Sequence, residues 1–291
     1  MKTRTLGKGG PEVFPVGLGG MPMSIAGRPT EAQALNAVHA AVDAGMTFID
    51  TADVYCLDHT DYGHNERLIA KALKSHSGGG KGILVGTKGG LRRPDGRWTC
   101  EPTPAKLMAA CDASLRALGV DVIDLYQLHS PDPAVPFADS VGALADLRKA
   151  GKIRLVGLSN VTAAQIREAV SLVPVATVQN RFSPFFREVL TNGVLAACGE
   201  LGIAFLAYSP VGGGRLHKRL QGHAAVSAVA GRRGISAHQA VLAWVMSKSS
   251  VVIPIPGSSR PENSRASAAV GEIVLDARDL AEIDAAAFPT D

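Results

Sequence analysis

Cysteine is scarce and scattered: Cys56, Cys100, Cys111 and Cys198 are the only four in 291 residues, and none form a C-x-x-C pair. That spacing argues against a disulfide framework and against a thiolate zinc site, and it reads as a reduced, cytoplasmic compartment. No apolar run approaches bilayer-spanning length, and Met1-Lys2-Thr3-Arg4-Thr5-Leu6-Gly7 lacks an apolar signal segment, so the expectation is a soluble chain with no membrane partner. The net charge of +4 is spread thinly, with only short clusters such as Arg92-Arg93 and Arg232-Arg233. It supports a local site for a small anion rather than a nucleic-acid surface. Two nucleotide signatures are also missing. Gly17-Leu18-Gly19-Gly20 does not continue to the third glycine of the G-x-G-x-x-G fingerprint, and there is no P-loop. A metal-dependent hydrolase built on Asp50, Asp53 and His129 has no paired His-x-His to support it, so no metal is expected.

What is present is a regular alternation of short apolar runs and helical patterns. Nearly half the residues are hydrophobic, and the length fits two ordinary domains or one large α/β barrel. Arg4 to Leu6 and Val13 to Val16, separated by Gly7-Lys8-Gly9-Gly10-Pro11, read as a short hairpin suited to plugging a barrel floor. Strand-like runs follow near residues 16–18, 47–50, 83–86, 122–128, 153–158, 176–179, 203–207 and 251–255. Each precedes a helical stretch, at 31–44, 66–74, 104–118, 137–149, 163–170, 188–200, a Gly-rich loop with helical sequence through 247, and 261–269. Capping-box spacings mark several helix starts, Thr30 with Gln33, Thr162 with Gln165 and Ser236 with Gln239. Eight strand-helix units without a dividing linker favour one (β/α)8 TIM barrel domain over residues 1–291 rather than an open doubly wound sheet. Residues 277–286 read as an extra C-terminal helix outside the repeat.

In such a barrel, chemistry gathers where strands end. Phe48-Ile49 is an apolar run that stops at Asp50, and Tyr55 follows five residues later in the loop. The next strand closes on Lys88 and the one after it on His129. Singly, each has a plain structural reading: a turn aspartate, a packed phenol ring, a structural ion pair of Lys88 with Asp50, a satisfied core histidine. Jointly, Asp, Tyr, Lys and His at the ends of three successive strands suit proton exchange with a substrate oxygen. An ammonium beside the phenol can lower its pKa from near ~10 by roughly 1–3 units.

With these residues in view, the chain resembles the aldo-keto reductases over almost its whole length. The likeness rests on Phe48-Ile49-Asp50-Thr51-Ala52-Asp53-Val54-Tyr55, Gly63-His64-Asn65-Glu66, Val85-Gly86-Thr87-Lys88, Asp124-Leu125-Tyr126-Gln127-Leu128-His129, Gly157-Leu158-Ser159-Asn160, Val178-Gln179-Asn180, Ala207-Tyr208-Ser209-Pro210 and Ile253-Pro254-Ile255-Pro256-Gly257, all in the family's order. The resemblance implies reversible, NADP(H)-dependent reduction of a small aldehyde, ketone or sugar-like carbonyl by a monomer or homo-oligomer. Tyr55 is then the general acid/base, Lys88 tunes it, Asp50 pairs Lys88, and His129 steers the carbonyl. It places Ser159, Asn160 and Gln179 on the nicotinamide carboxamide, where their hydroxyl and amide groups match its donors and acceptors, and Tyr208 on the ring face. A turn ahead of the Thr162-capped helix is the alternative for Ser159 and Asn160, and their position at a strand end favours the cofactor. Relatives that serve as ion-channel β subunits imply an alternative, a cofactor-binding regulatory subunit. Gly212 and Arg215, in the loop after Ser209 and Pro210, suit a pyrophosphate. Gly257, Ser258, Ser259 and Arg260, ahead of a helix N-terminus, suit a 2′-phosphate. The sequence departs from the family at Ala266 and Ser267, where members often carry a Glu/Gln-Asn pair near the adenine. Trp98, in the long loop after the third strand, and Phe182, after the sixth, are expected to line the substrate pocket.

Overall fold

The computed structural model describes residues 2–291. It opens with an antiparallel hairpin of β1 (Arg4–Thr5) and β2 (Glu12–Val13), followed by β3 (Leu18–Gly19), β4 (Phe48–Asp50) and β5 (Leu84–Gly89). A small ribbon of β6 (Leu91–Arg92) and β7 (Thr99–Cys100) precedes β8 (Ile123–Leu128), β9 (Ile153–Ser159), β10 (Val175–Arg181), β11 (Ala204–Tyr208) and β12 (Val252–Pro254). Strands β3, β4, β5 and β8 to β12 lie side by side in chain order and run parallel. The ring closes where the Gly17 and Gly19 amides donate to the Pro254 and Pro256 carbonyls, both at 3.0 Å, and Gly19 bridges Gly257. The fold is a (β/α)8 barrel.

Helices α1 (Glu31–Asp43), α2 (His64–Ser75), α3 (Pro104–Leu118), α4 (Phe137–Lys149), α5 (Ala163–Leu172), α6 (Val194–Leu201), α7 (Ala224–Arg233), α8 (Ala237–Ser247) and α9 (Pro261–Ala268) surround it, and α10 (Ala277–Ala285) lies outside the repeat. Thr162 and Ser236 form complete capping boxes, and Thr30 caps α1 with one bond, from the Gln33 amide. Among the described residues no helix is long and apolar enough to cross a membrane.

Two main apolar cores result, besides a small cluster of Ala52, Val54 and Tyr55 in the loop after β4. A large one fills the space between the sheet's outer face and the helices. A smaller one inside the barrel contains Phe48, Leu125, Leu206 and Ile253, together with Leu6 and Val13 of the hairpin, which therefore plugs the floor. Above this layer the inward positions turn polar. Gly157 makes room there, since a Cβ on it would lie 2.3 Å from Thr177 Oγ1 and 2.6 Å from Gln127 Cγ.

Three features differ from the sequence expectation. The sixth helix begins at Val194 rather than Glu188, because Glu188–Leu190 forms one 3₁₀ turn and Gly193, at φ 84°, breaks the pattern before the helix restarts. The seventh unit carries two helices, α7 and α8, separated by Gly234 at φ 63°. The loop after β5 folds back as the β6–β7 ribbon instead of staying irregular.

Candidate active site

The polar floor of the barrel mouth is organised by one ammonium. Lys88 ends β5 with its side chain inward, and parallel pairing with β4 and β8 sets Asp50 on one side and Gln127 on the other. With no solvent exposure, its Nζ donates to Asp50 Oδ1 at 2.5 Å, to the Thr51 carbonyl at 2.8 Å and to Tyr55 Oη at 3.0 Å. All three ammonium protons are used, which is what keeps a buried lysine charged. Its carboxylate and phenol neighbours outweigh burial and hold Lys88 above the ordinary lysine pKa. Asp50 Oδ2 accepts further bonds from Gln179 Nε2 at 2.8 Å and Gln127 Nε2 at 3.2 Å, so both carboxylate oxygens are engaged.

Tyr55 sits in the loop after β4, which is tied down from beneath. Asn65, fully buried on α2, accepts from Thr51 Oγ1 at 2.6 Å and donates to the Gly20 carbonyl at 2.9 Å. Burial raises the Tyr55 pKa above its ordinary value and the Lys88 ammonium only partly opposes this, so the expected net lowering is not found: the phenol is held protonated. His129, just past β8, places its ring 5.8 Å from the Tyr55 ring in an edge arrangement. Burial, and secondarily Lys88, pushes its pKa well below 6.5, so the imidazole is neutral, and its Nδ1 has no partner. Trp98, half exposed, lies 6.5 Å from His129 between ring centres and 4.1 Å from the Arg93 guanidinium, which makes it a wall of the same mouth.

Further round the rim, Asn160 adopts φ 57°, donates to the His129 carbonyl at 3.0 Å and to Ser159 Oγ at 3.2 Å, and accepts from Tyr208 Oη at 2.9 Å. Ser159, Asn160, Gln179 and Tyr208 therefore meet on one arc beside Asp50 and His129. Ser209 also has positive φ, 48°, and Pro210 follows it buried. Gly212, Gly213 and Gly214 all lie at positive φ, a backbone that presents amides at low steric cost. Arg215 is exposed, with Nη2 on the Thr290 carbonyl at 3.1 Å. On the opposite side Ser259 and the exposed Arg260 stand at the start of α9 beside Gly257, and Arg260 has no ion pair among the described residues. Amide and hydroxyl groups on one arc, a glycine loop and a free guanidinium at a helix N-terminus fit the carboxamide, pyrophosphate and 2′-phosphate of a dinucleotide.

Two sequence assignments change. Phe182 has no exposed surface; it is wedged between Phe205 and Trp244, at 6.2 and 5.6 Å, because the Ser183–Phe186 bridge turns it into the outer core. It lines no pocket, and the aromatic surface there is Phe186, under the Arg181 guanidinium at 4.4 Å. Ser258 is also turned inward: its hydroxyl donates to the Arg260 carbonyl at 3.0 Å and pairs with Ser264 Oγ at 2.9 Å, leaving Ser259 and Arg260 as the accessible groups. Sequence reasoning missed Gln127 as a site residue. The signal was an amide on the same strand face as Leu125 and His129, two residues before the site histidine.

The model of the aldo/keto reductase family matches residues 15–287. A Klebsiella pneumoniae aldo/keto reductase, solved with NADP and acetate, is 27% identical with a TM-score of 0.81, covering 98% of this chain and 95% of its own. The glycerol dehydrogenase of Gluconobacter oxydans is 25% identical with a TM-score of 0.84, covering 97% and 93%. The holo form of a Bacillus halodurans aldo-keto reductase is 25% identical with a TM-score of 0.79, covering 98% and 95%.

Proposed function

The chain belongs to the aldo/keto reductase family, and from that premise we propose that it is an NADP(H)-dependent oxidoreductase interconverting a small aldehyde, ketone or sugar-like carbonyl with its alcohol. The observation that carries the reading is the single buried ammonium shared by Asp50 and Tyr55 at 2.5 and 3.0 Å. The Klebsiella relative's complex with NADP supports the cofactor.

When bound, the dinucleotide supplies or accepts hydride at its nicotinamide. The chain's own residues do the rest. Ser159, Asn160 and Gln179 would hold the carboxamide, Tyr208 the ring face, the Ser209–Arg215 loop with Pro210 and Gly212 the pyrophosphate, and Gly257, Ser259 and Arg260 the 2′-phosphate. Tyr55, kept protonated by burial, donates its proton to the carbonyl oxygen as negative charge develops there. The phenolate left behind is stabilised by Lys88, whose own charge is held by Asp50; in the reverse direction the phenolate takes the proton back. His129, neutral, donates one hydrogen bond to the same oxygen and orients it. Trp98 closes one side of the mouth.

Purified protein with NADPH and a panel of aldehydes, ketones and sugars is expected to consume reduced nicotinamide absorbance. Tyr55→Phe, which keeps the ring and removes the proton, is expected to lower turnover by roughly 10²–10⁴ while cofactor binding, followed by fluorescence, stays near wild type. Full turnover in that variant removes Tyr55 from the role.

A further inference from the structure

Two carboxyl groups take no part in the chemistry above, the half-buried Asp53 and the buried Glu66. Both open onto a cleft of about 470 Å³ between α2 and α3, on the outer side of the barrel wall, lined by none of Asp50, Tyr55, Lys88 and His129. At its floor, Asp53 Oδ1 is sealed from solvent without a hydrogen-bond partner. Glu66, 1% exposed, accepts from Thr87 Oγ1 at 2.6 Å. One wall is the alanine-rich face of α3, whose short side chains leave the space open, and the Tyr62 ring is the other.

The rim is cationic: Arg67, Arg92, Lys106 and Arg116. Their counter-charges do not balance them. Arg92 and Lys106 share one carboxylate, Glu101, at 3.7 and 3.8 Å. Arg67 reaches Asp61 only at 4.0 Å, and Asp61 already pairs with Arg28 at 2.6 Å. Arg116 has no ion pair among the described residues. Nor is the floor a cation site. Burial first and Glu66 second push Asp53 well above the ordinary carboxylate range, and burial raises Glu66, so both floor groups are weaker acids than exposed carboxyls. Among the described residues no group of three or more side chains could hold a metal ion.

We propose that this cleft is a second binding site, for a small organic anion carrying a phosphate or carboxylate group on a compact, flat or apolar body. The guanidinium groups and Lys106 take the charged end, and Tyr62 and the α3 alanines take the body. Its floor is continuous with the catalytic elements. Asp53 lies two residues before Tyr55, and its carbonyl accepts from the Gly63 amide at 2.8 Å at the head of α2. Glu66 holds Thr87, the neighbour of Lys88. An occupant thus bears on the two backbones that aim Tyr55 and Lys88, and it changes turnover in the reaction proposed above; only this coupling rests on that reading.

Calorimetric titration of the full chain with phenyl phosphate, benzoate, benzyl alcohol and benzylamine tests the site. One or both anions are expected to bind, which separates phosphate from carboxylate as the recognised group, and the alcohol and amine are not. Lys106→Ala/Arg116→Ala, checked for an unchanged unfolding midpoint, is expected to weaken anion binding about tenfold or more; if that variant is unstable, Arg116→Gln serves alone. A probe seated in the substrate mouth would ignore these changes. Equal anion affinity in wild type and variant, preference for benzylamine, or no binding of either anion at millimolar concentration overturns the proposal. Anion binding together with absence of turnover on every carbonyl supports the site and counts against the reductase reading instead.

Discussion

Replacing Lys88 with methionine removes one charge from a position with no solvent exposure, and both consequences can be sized. Lys88 and Asp50 are 0% and 3% exposed in their side chains and 2.5 Å apart. Breaking a buried pair from one side costs about 3–5 kcal/mol, because the remaining charge stays uncompensated. Here Asp50 keeps two amide donors, from Gln179 and Gln127, so the loss belongs near ~3 kcal/mol, the lower end of that range. A protein of ordinary stability, about 5–15 kcal/mol, still folds. Turnover should fall further than stability suggests, since Tyr55 loses the only ammonium bonded to its oxygen; a loss of roughly 10²–10⁴ is expected, about 3–5 kcal/mol in the barrier. Urea unfolding followed by tryptophan fluorescence, and NADPH consumption on the responsive carbonyl, measure the two losses separately. The double variant Asp50→Asn/Lys88→Met should regain most of the stability, because no buried charge is left unpaired, yet stay inactive. A single variant within tenfold of wild-type turnover, or less than 1 kcal/mol less stable, refutes the account of the ammonium as the site's organising charge.

Other perturbations read different parts of the same structure. His129 is held neutral with its pKa well below 6.5, so its contribution to stability is present above 6.5 and is lost as the pH falls, the unfolded chain binding the proton first. His129→Gln should therefore flatten the acid limb of the stability curve by up to about 1.4 kcal/mol per pH unit below that point; an unchanged slope in urea melts across pH 4–7 would contradict the assignment (roughly the window where histidine titrates). Gly157→Ala would drive a methyl group into Thr177 and Gln127, costing about 1–3 kcal/mol of overpacking and displacing an Asp50 donor, visible as a lower melting temperature and lower turnover. Arg260→Ala should weaken NADPH by roughly 10–100-fold, the loss of a charge-assisted bond, and leave NADH nearly unchanged; equal losses for both in fluorescence titration would move the 2′-phosphate clamp elsewhere.

The eight-unit barrel was legible in the chain because each strand is a short apolar run and several helices carry a start signal, Thr162-x-x-Gln165 and Ser236-x-x-Gln239 forming full capping boxes as their spacing implied. The convergence of Asp50, Tyr55 and Lys88 was legible for a related reason: parallel strands in sequence order bring successive strand ends to one face, so position along the chain becomes position around the mouth. Local pattern could not say which way a side chain turns where the backbone leaves the regular period. Phe182 and Ser258 both follow the ends of strands and both turn inward, the first because a tight turn carries it under α8, the second because its hydroxyl is taken up by the start of α9. Nor does any linear motif contain the desolvation of Tyr55. Sequence alone placed an ammonium beside a phenol and suggested a lowered pKa; only the closed barrel, by burying both, decided that burial prevails and that the resting phenol is protonated.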